Sequence, residues 1–476
     1  MRHIIPPALL ALLAGCTVGP DYHGPVASPA TTPRAAFVRA GEFIPAAEPA
    51  LADWWTAFGD TTLNALEARA LAGNPGIAVA EARLRQARAG LRLERANGAP
   101  TVNTSATYLH ATLPGVNIGQ ANDASTDDGS QSLNFYNVGF DASWELDLFG
   151  GHRRSLEAAR AQLGAAQANV ADAQLSLTAD VARTYVSLRD VQNRLALARR
   201  SAAMQRQMLD LLRQRFDRGA VSALDVERFA GQVETTEGGL IPLQAQIASY
   251  QNALAVLAGE QPGELDAVLS PAAAVPLPPA AVPVGDPAAL LRRRPDIIAA
   301  ERRLAQRTAQ IGTAQAARLP RLSLLGLIGI GGTRPGDVLD PDNLTALAVP
   351  MLQWNALDFG RGAARVRQAE GARDEAEAQY RSAVLTALRD AEDALSRFGA
   401  RRQSVASAAR ARASAARAAD LMQQRFRAGT ATLIDTLDAE RQRIAAEDSL
   451  SSATANLTGD YIALQKALGL GWTSHD

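Results

Sequence analysis

The sequence predicts a mainly α-helical protein that also carries membrane-type β-hairpins, and three observations lead there. The chain repeats itself: RQRFDRGAVSALD, from Arg213 to Asp225, returns as QQRFRAGTATLID, from Gln423 to Asp435. The same offset of 210 carries Trp144, Phe149 and Gly150 onto Trp354, Phe359 and Gly360. Each half holds a very long uninterrupted helical pattern, His152 to Phe216 and Gly362 to Phe426. At 1.5 Å per residue each would extend roughly 95–100 Å, more than a globular domain needs. Finally, Val138, Phe140, Ala142, Trp144, Leu146 and Leu148 alternate strictly with Gly139, Asp141, Ser143, Glu145 and Asp147. Apolar residues on one face and acids on the other are the pattern of a membrane-barrel strand, with lipid outside and water inside.

Composition narrows the function. The 476 residues carry 48 basic and 49 acidic side chains for a net charge of −1, which argues against a nucleic-acid binder. Aromatics make up only 5%, as expected where alanine-rich helices pack closely. Cys16 is the single cysteine, so neither an internal disulfide nor a cysteine-rich metal site can form.

Taken in order, residues 1–15 (MRHIIPPALLALLAG) read as a signal peptide, with Arg2 before an apolar run too short to span a bilayer. LLAGC then matches a bacterial lipobox, which makes Cys16 the lipidated mature N-terminus; Thr17 in place of aspartate favours the outer membrane. Residues 16–60 form the anchored N-terminal segment and an equatorial region. In the first half follow a helix at 61–98, a β-hairpin at 99–148 and a helical hairpin at 149–258. After a proline-rich linker at 259–286 the order recurs, with a helix at 287–318, a β-hairpin at 319–358, a helical hairpin at 359–470 and a tail at 471–476.

Leu156, Leu163, Val170 and Leu177, with Ala159, Ala166 and Ala173, give the first long helix a coiled-coil seam that Val181, Leu188 and Leu195 continue. The return helix carries Leu240, Leu243, Ile247, Tyr250, Leu254 and Leu257, and Pro242 predicts a break in it. Gly219 and Gly429 end the two long helices as C-cap glycines. The first hairpin pairs Thr101–His110 with the alternating strand across the polar loop GQANDASTDDGSQS; the second uses Leu322–Ile330 and Leu344–Trp354.

Catalytic chemistry finds no support. The histidines His3, His23, His110, His152 and His475 stand singly, without metal spacing. Asp358-Phe359-Gly360 spells DFG without a phosphate loop or a catalytic HRD, and GIGGTRPGD from Gly329 to Asp337 reads as a hairpin turn.

CTVGPDY from Cys16, WWTAFGD from Trp54, LLRRRPDIIAAERRL from Leu290 and the paired RFxxG tips together resemble the outer membrane factors, the TolC-like channels of bacterial tripartite efflux pumps, in their NodT-type lipoprotein branch. The resemblance implies a homotrimer in which four strands per protomer build a 12-stranded outer-membrane barrel continuous with a long periplasmic helical barrel. It implies passive export of drugs or other small molecules, delivered by a periplasmic adaptor and an inner-membrane transporter of the resistance-nodulation-division type, with no cofactor beyond the lipid on Cys16 and no nucleic acid. It places gate aspartates at Asp435 and Asp438, with Asp225 at the first tip. Adaptor docking falls to Phe216, Gly219, Phe426 and Gly429. The family's latch tyrosine and arginine fall on Phe426 and Ala431, neither of which offers a side-chain hydrogen bond. Six carboxylates around one aperture should repel and raise some of their pKa values. The alternatives are a periplasmic adaptor lipoprotein, which would need one hairpin rather than two, and a soluble coiled-coil scaffold, which would leave the alternating strand unexplained.

Overall fold

The computed structural model describes residues 17–25, 34–39, 49–113 and 131–473. The signal peptide, Cys16, the loop residues 114–130, and residues 474–476 with His475 lie outside the described residues. After a 3-10 turn at Trp54–Phe58 come α1 (Thr61–Gly73), α2 (Pro75–Asn97), β1 (Thr101–Leu113), β2 (Gln131–Leu146), α3 (Gly151–Asp217), α4 (Ala223–Gly238), α5 (Leu240–Ala258) and the single turn α6 (Asp266–Leu269). The chain continues with α7 (Pro287–Arg293), α8 (Pro295–Ala316), β3 (Arg321–Gly332), β4 (Leu344–Gln353), α9 (Arg361–Arg427) and α10 (Leu433–Ala467).

Both long helices, α3 and α9, contain 67 residues. The breaks have local causes. Asn74 ends α1 in extended conformation because Pro75 follows, and its Oδ1 accepts the N–H of Gly76 at 2.7 Å. Arg294 before Pro295 separates α7 from α8 in the same way. The break expected near Pro242 falls at Gly239, between α4 and α5.

The chain gathers into two compact units, each drawing on both halves of the sequence. One comprises residues 1–25, 85–164 and 301–378 and contains the sheet. Its strands pair antiparallel in the order β1-β2-β3-β4, leaving the outer edges of β1 and β4 without a partner strand among the described residues. Register sets Trp144 opposite Leu324 and Leu324 opposite Pro350, and likewise Leu146, Leu322 and Leu352. Because side chains alternate, one face collects Val102 and Ala106, then Val138, Phe140, Trp144 and Leu146, then Leu322, Leu324 and Ile328, then Leu344 and Leu352. The opposite face carries Asn103, Asp141, Ser143 and Glu145 on β1 and β2 but Leu325, Leu327, Leu347 and Val349 on β3 and β4.

Two sequence expectations are corrected here. Of the turn expected at Gly329–Asp337, Gly329–Gly332 belongs to β3, while Pro335–Asp337 does lie in the turn, which is made by 3-10 helices at Pro335–Leu339 and Pro341–Asn343. Glycine is needed in that strand because a Cβ on Gly329 would stand 2.7 Å from Asn137 Oδ1, and one on Gly331 would strike the Tyr136 carbonyl. Asp147 does not project from the strand as an inward-facing acid. Lying just past β2, it accepts the N–H groups of His152 at 3.0 Å and Arg153 at 3.1 Å and so caps α3. Asp358 of the DFG triplet serves α9 alike, accepting from Gly360 at 2.9 Å and Gly362 at 2.6 Å, and these backbone bonds hold its carboxyl below the usual range.

The other unit comprises residues 26–84, 165–300 and 379–476 and holds the main core. Tyr185 is fully buried and donates to Asp60 Oδ2 at 2.7 Å, while Asp60 Oδ1 accepts the N–H of Thr62 at 2.9 Å and caps α1. Trp54, Phe58, Phe398 and Tyr461 pack ring to ring in the same core. The proline-rich linker is threaded into this core. Buried Arg189 donates to the carbonyls of Leu269 at 3.2 Å and Pro271 at 2.6 Å, Thr458 donates to the Pro276 carbonyl at 2.7 Å, and Val275, Val282 and Val284 are buried.

The LLRRRPDI stretch is explained by Arg294, whose guanidinium grips Asp296 with Nε at 3.0 Å and Nη2 at 2.7 Å and donates from Nη1 to the Ala467 carbonyl at 3.0 Å. Only 12% of its side chain is exposed. Arg294→Ala is expected to lower stability by about 2–3 kcal/mol, less than a fully buried pair because Asp296 retains solvent contact. Arg294→Lys should restore less than half, since lysine cannot reproduce the fork. Urea unfolding of the detergent-purified protein measures both.

The predicted seam of α3 holds from Val170 onward, where Val170, Leu177, Val181, Leu188 and Leu195 are buried. Nearer the start of the helix it does not. Leu156, Leu163, Ala159 and Ala166 are half-buried, and the stripe Ala158, Ala161, Ala165 and Ala168 is buried in their place. Alanine at both stripes let either one approach a neighbour, and only the packed chain chooses.

Candidate channel site: the apolar sheet face and the helical tips

The apolar face of the sheet is bounded by aromatic residues. Tyr108 and Tyr136 stack with centroids 4.8 Å apart. Eight residues further along β2, Trp144 donates from Nε1 to the Gly98 carbonyl at 3.0 Å, and Trp354 makes the equivalent bond to the Arg318 carbonyl at 3.0 Å. The stretch from Tyr136 to Trp144 covers roughly 27 Å along the strand. Apolar bands of outer-membrane barrels are about 25 Å tall and are flanked by aromatic girdles. Val138, Phe140, Ile328, Leu344 and Leu352 between and beside these rings are exposed, as lipid-facing residues are in an isolated chain. No described helix is long and apolar enough to cross a membrane.

The tips are two copies of one structure. α3 ends in Gly219 at φ +72°, whose N–H bonds to the Phe216 carbonyl at 2.8 Å, while Ala220 N–H reaches back to the Arg215 carbonyl at 2.8 Å. α9 ends in Gly429 at φ +75° with the same pair of bonds, to the carbonyls of Phe426 at 3.0 Å and Arg425 at 2.9 Å. A capping box then opens each return helix. Asp225 N–H donates to Ser222 Oγ at 3.2 Å and Ser222 Oγ to Asp225 Oδ2 at 2.7 Å; in the second tip Asp435 N–H donates to Thr432 Oγ1 at 3.1 Å and Thr432 N–H to Asp435 Oδ2 at 3.0 Å.

The three predicted gate acids are thereby divided. Within one chain Asp225 and Asp435 are capping residues, and the hydroxyls of Ser222 and Thr432 hold their carboxyls below the ordinary range, a direction opposite to that expected of a repelling ring. Their contribution to stability is present above the ordinary carboxylate pKa and lost as pH falls through the lowered value. Asp438, one turn beyond, caps nothing; it accepts from Arg441 Nη2 at 2.8 Å and Gln442 Nε2 at 3.0 Å on an exposed surface. The S-x-x-D and T-x-x-D spacings were a readable capping signal. Thr432→Ala is expected to cost about 1 kcal/mol, measured as a lowered melting temperature.

Of the docking residues, Phe216 and Phe426 are exposed by 45% and 38%, and Gly219 and Gly429 have open space around them. The sequence reading missed Leu224 and Ile434, exposed by 57% and 56%, which sit at the same offset of 210 and give each tip an aromatic and an aliphatic side chain. It also missed how the tips are tied together: Leu433 and Leu437 pack on a cluster of Met208, Leu209, Leu212, Val226 and Val233. Ala431 offers no latch, and Arg425 Nη2 instead donates to the Thr430 carbonyl at 3.4 Å.

The family model described as outer membrane efflux protein matches residues 66–260 and 287–470, both helical hairpins and both strand pairs. The chain belongs to the outer membrane efflux protein family. Nodulation protein T of Rhizobium leguminosarum bv. trifolii is 31% identical over 98% of this chain and 97% of its own length. Outer membrane protein OprJ of Pseudomonas aeruginosa is 31% identical over 98% and 95%. The solved outer-membrane channel OprN superposes with a TM-score of 0.86 at 35% identity, covering 96% of this chain and all of that one. This efflux protein is therefore an outer-membrane channel of TolC-like fold, and the paired hairpins read from its sequence are the elements of that fold.

Proposed function

We propose that this chain is the passive exit duct of a tripartite efflux system, a homotrimer that receives small molecules from a periplasmic adaptor and an inner-membrane transporter of the resistance-nodulation-division type. The observation that carries the trimer is the four-stranded sheet with one apolar face and two edges that no described strand pairs. In lipid every backbone N–H and C=O needs a partner, and four strands cannot close on themselves. Three copies supply twelve strands, an even number within the range of such barrels. Cys16 carries the lipid that anchors the mature N-terminus. The duct has no catalytic step and no cofactor. The adaptor docks on the tips through Phe216, Leu224, Phe426 and Ile434, with Gly219 and Gly429 permitting the tight turns.

Fractionation and electrophoresis test this directly. A heat-modifiable trimer in the outer-membrane fraction is expected; a soluble or inner-membrane monomer would overturn it. For the tips, Leu224→Cys and Ile434→Cys are preferable to substitutions at the two glycines, whose positive φ strains any side chain. Crosslinks from both cysteines to one adaptor are expected, and their absence beside an intact trimer would remove the docking assignment.

A further inference from the structure

The TVGPDY stretch after Cys16 is absorbed by neither the barrel nor the tips, yet it is fastened by several long-range contacts. Arg154, buried to 5% side-chain exposure, donates from Nε to the Val18 carbonyl at 3.1 Å and from Nη2 to the Gly19 carbonyl at 3.0 Å and to Asp21 Oδ1 at 2.6 Å. Val18 N–H donates to the Phe149 carbonyl at 3.0 Å, and Tyr22 reaches Glu301 at 3.4 Å. Gly19, at φ +93°, lies so close to Gly312 that a Cβ on it would collide with the Gly312 backbone, and a Cβ on Gly150 would collide with Thr17. The residue next to Cys16 is thus fixed against Gly150, four residues beyond the end of β2.

We propose that the acyl chains on Cys16 lie on the adjoining corner of the apolar sheet face, formed by Trp144, Leu146, Leu322, Leu324 and Leu352. The inference rests on the reading of Cys16 as lipidated. Cys16 is one peptide bond from Thr17, and four residues from Gly150 back to Leu146 span at most ~15 Å. That is about half of the ~30 Å hydrocarbon core, within reach of a chain that fills one leaflet. The corner is apolar across three strands, with Trp144, Leu324 and Leu352 exposed by 36%, 39% and 67%. Trp144 marks its polar boundary through the bond to Gly98. A clamped N-terminus delivers its lipid to one point; a loose one would let the chains sample the surrounding bilayer.

A photoactivatable palmitate analogue fed to cells producing the full-length protein tests this, with Cys16→Ser as the blank. Label on the wild type and crosslinks mapping by mass spectrometry to 141–153 and 319–356 are expected. Label on Cys16 with protein crosslinks in β1, or with crosslinks to phospholipid alone, overturns the seat while leaving lipidation intact. No label on the wild type removes lipidation and the seat together. Arg154→Gln should keep the label but scatter the crosslinks, whereas an unchanged pattern would show that the clamp does not direct the chains.

Discussion

Replacing Asp435 and Asp438 together by asparagine is expected to raise the single-channel conductance of the reconstituted protein and to move its cation-to-anion permeability ratio towards one. In the proposed trimer the two positions would supply up to six carboxylates, which the family resemblance assigns to the closed aperture. Carboxylates facing a narrow aperture attract cations and repel anions, so removing their charge should lower the cation preference. Asparagine is the informative substitution because Asp435 also closes the capping box with Thr432, and an amide oxygen still accepts the Thr432 N–H. Alanine at that position would mix loss of charge with fraying of α10. Arg441→Gln supplies the opposite sign: it frees Asp438 from its ion pair and should strengthen cation preference. Bilayer recordings unchanged in both variants would show that these acids cap and decorate the tip without gating it.

Glu67→Leu is expected to stabilise the protein at neutral pH, an unusual outcome for removal of a charge. Glu67 is completely buried in α1, and among the described residues neither carboxylate oxygen has a hydrogen-bond partner; Asn64 Oδ1, one turn earlier, also lacks one. Burial alone pushes its pKa well above the ordinary 4.5, with no cation contributing. The folded chain therefore holds a proton that the unfolded chain has released. The stability is fully present below the ordinary carboxyl pKa and declines as pH rises through the raised value. An unpartnered buried polar group costs ~1–3 kcal/mol, so the leucine variant should melt higher at pH 7. Glu67→Gln should remove only the pH dependence. Melting curves between pH 4.5 and 8 decide: wild type minus glutamine should slope downward with pH, and parallel curves would show that Glu67 does not titrate in this window.

The fold was largely legible because its signals are local. Heptads, the period-two alternation of β2 and the glycines at 219 and 429 each act within one element, and the offset of 210 gave the tip signals twice. Legibility ended where a residue's role depends on what stands opposite it. Leu156 and Ala158 both lie on helical stripes, yet only the packed chain shows which is buried. Asp147 fits an inward strand position by parity, but the strand stops at Leu146 and the free amides of α3 claim its carboxylate. Glu67 falls on the stripe of Leu63, Leu66 and Ala70, a readable anomaly whose meaning came only from its burial with no hydrogen-bond partner among the described residues.

By itself, then, the sequence determined the two long hairpins, the membrane-type strands, the tips and the family, because periodicity, capping and turn chemistry depend on neighbours a few residues away. The tertiary structure alone decided that Arg154 clamps the segment behind Cys16, that Arg294 ties α8 to the end of α10, and that the linker is held by Arg189 and Thr458. These follow from hydrogen bonds and burial between residues far apart in the chain, and no local pattern carries them.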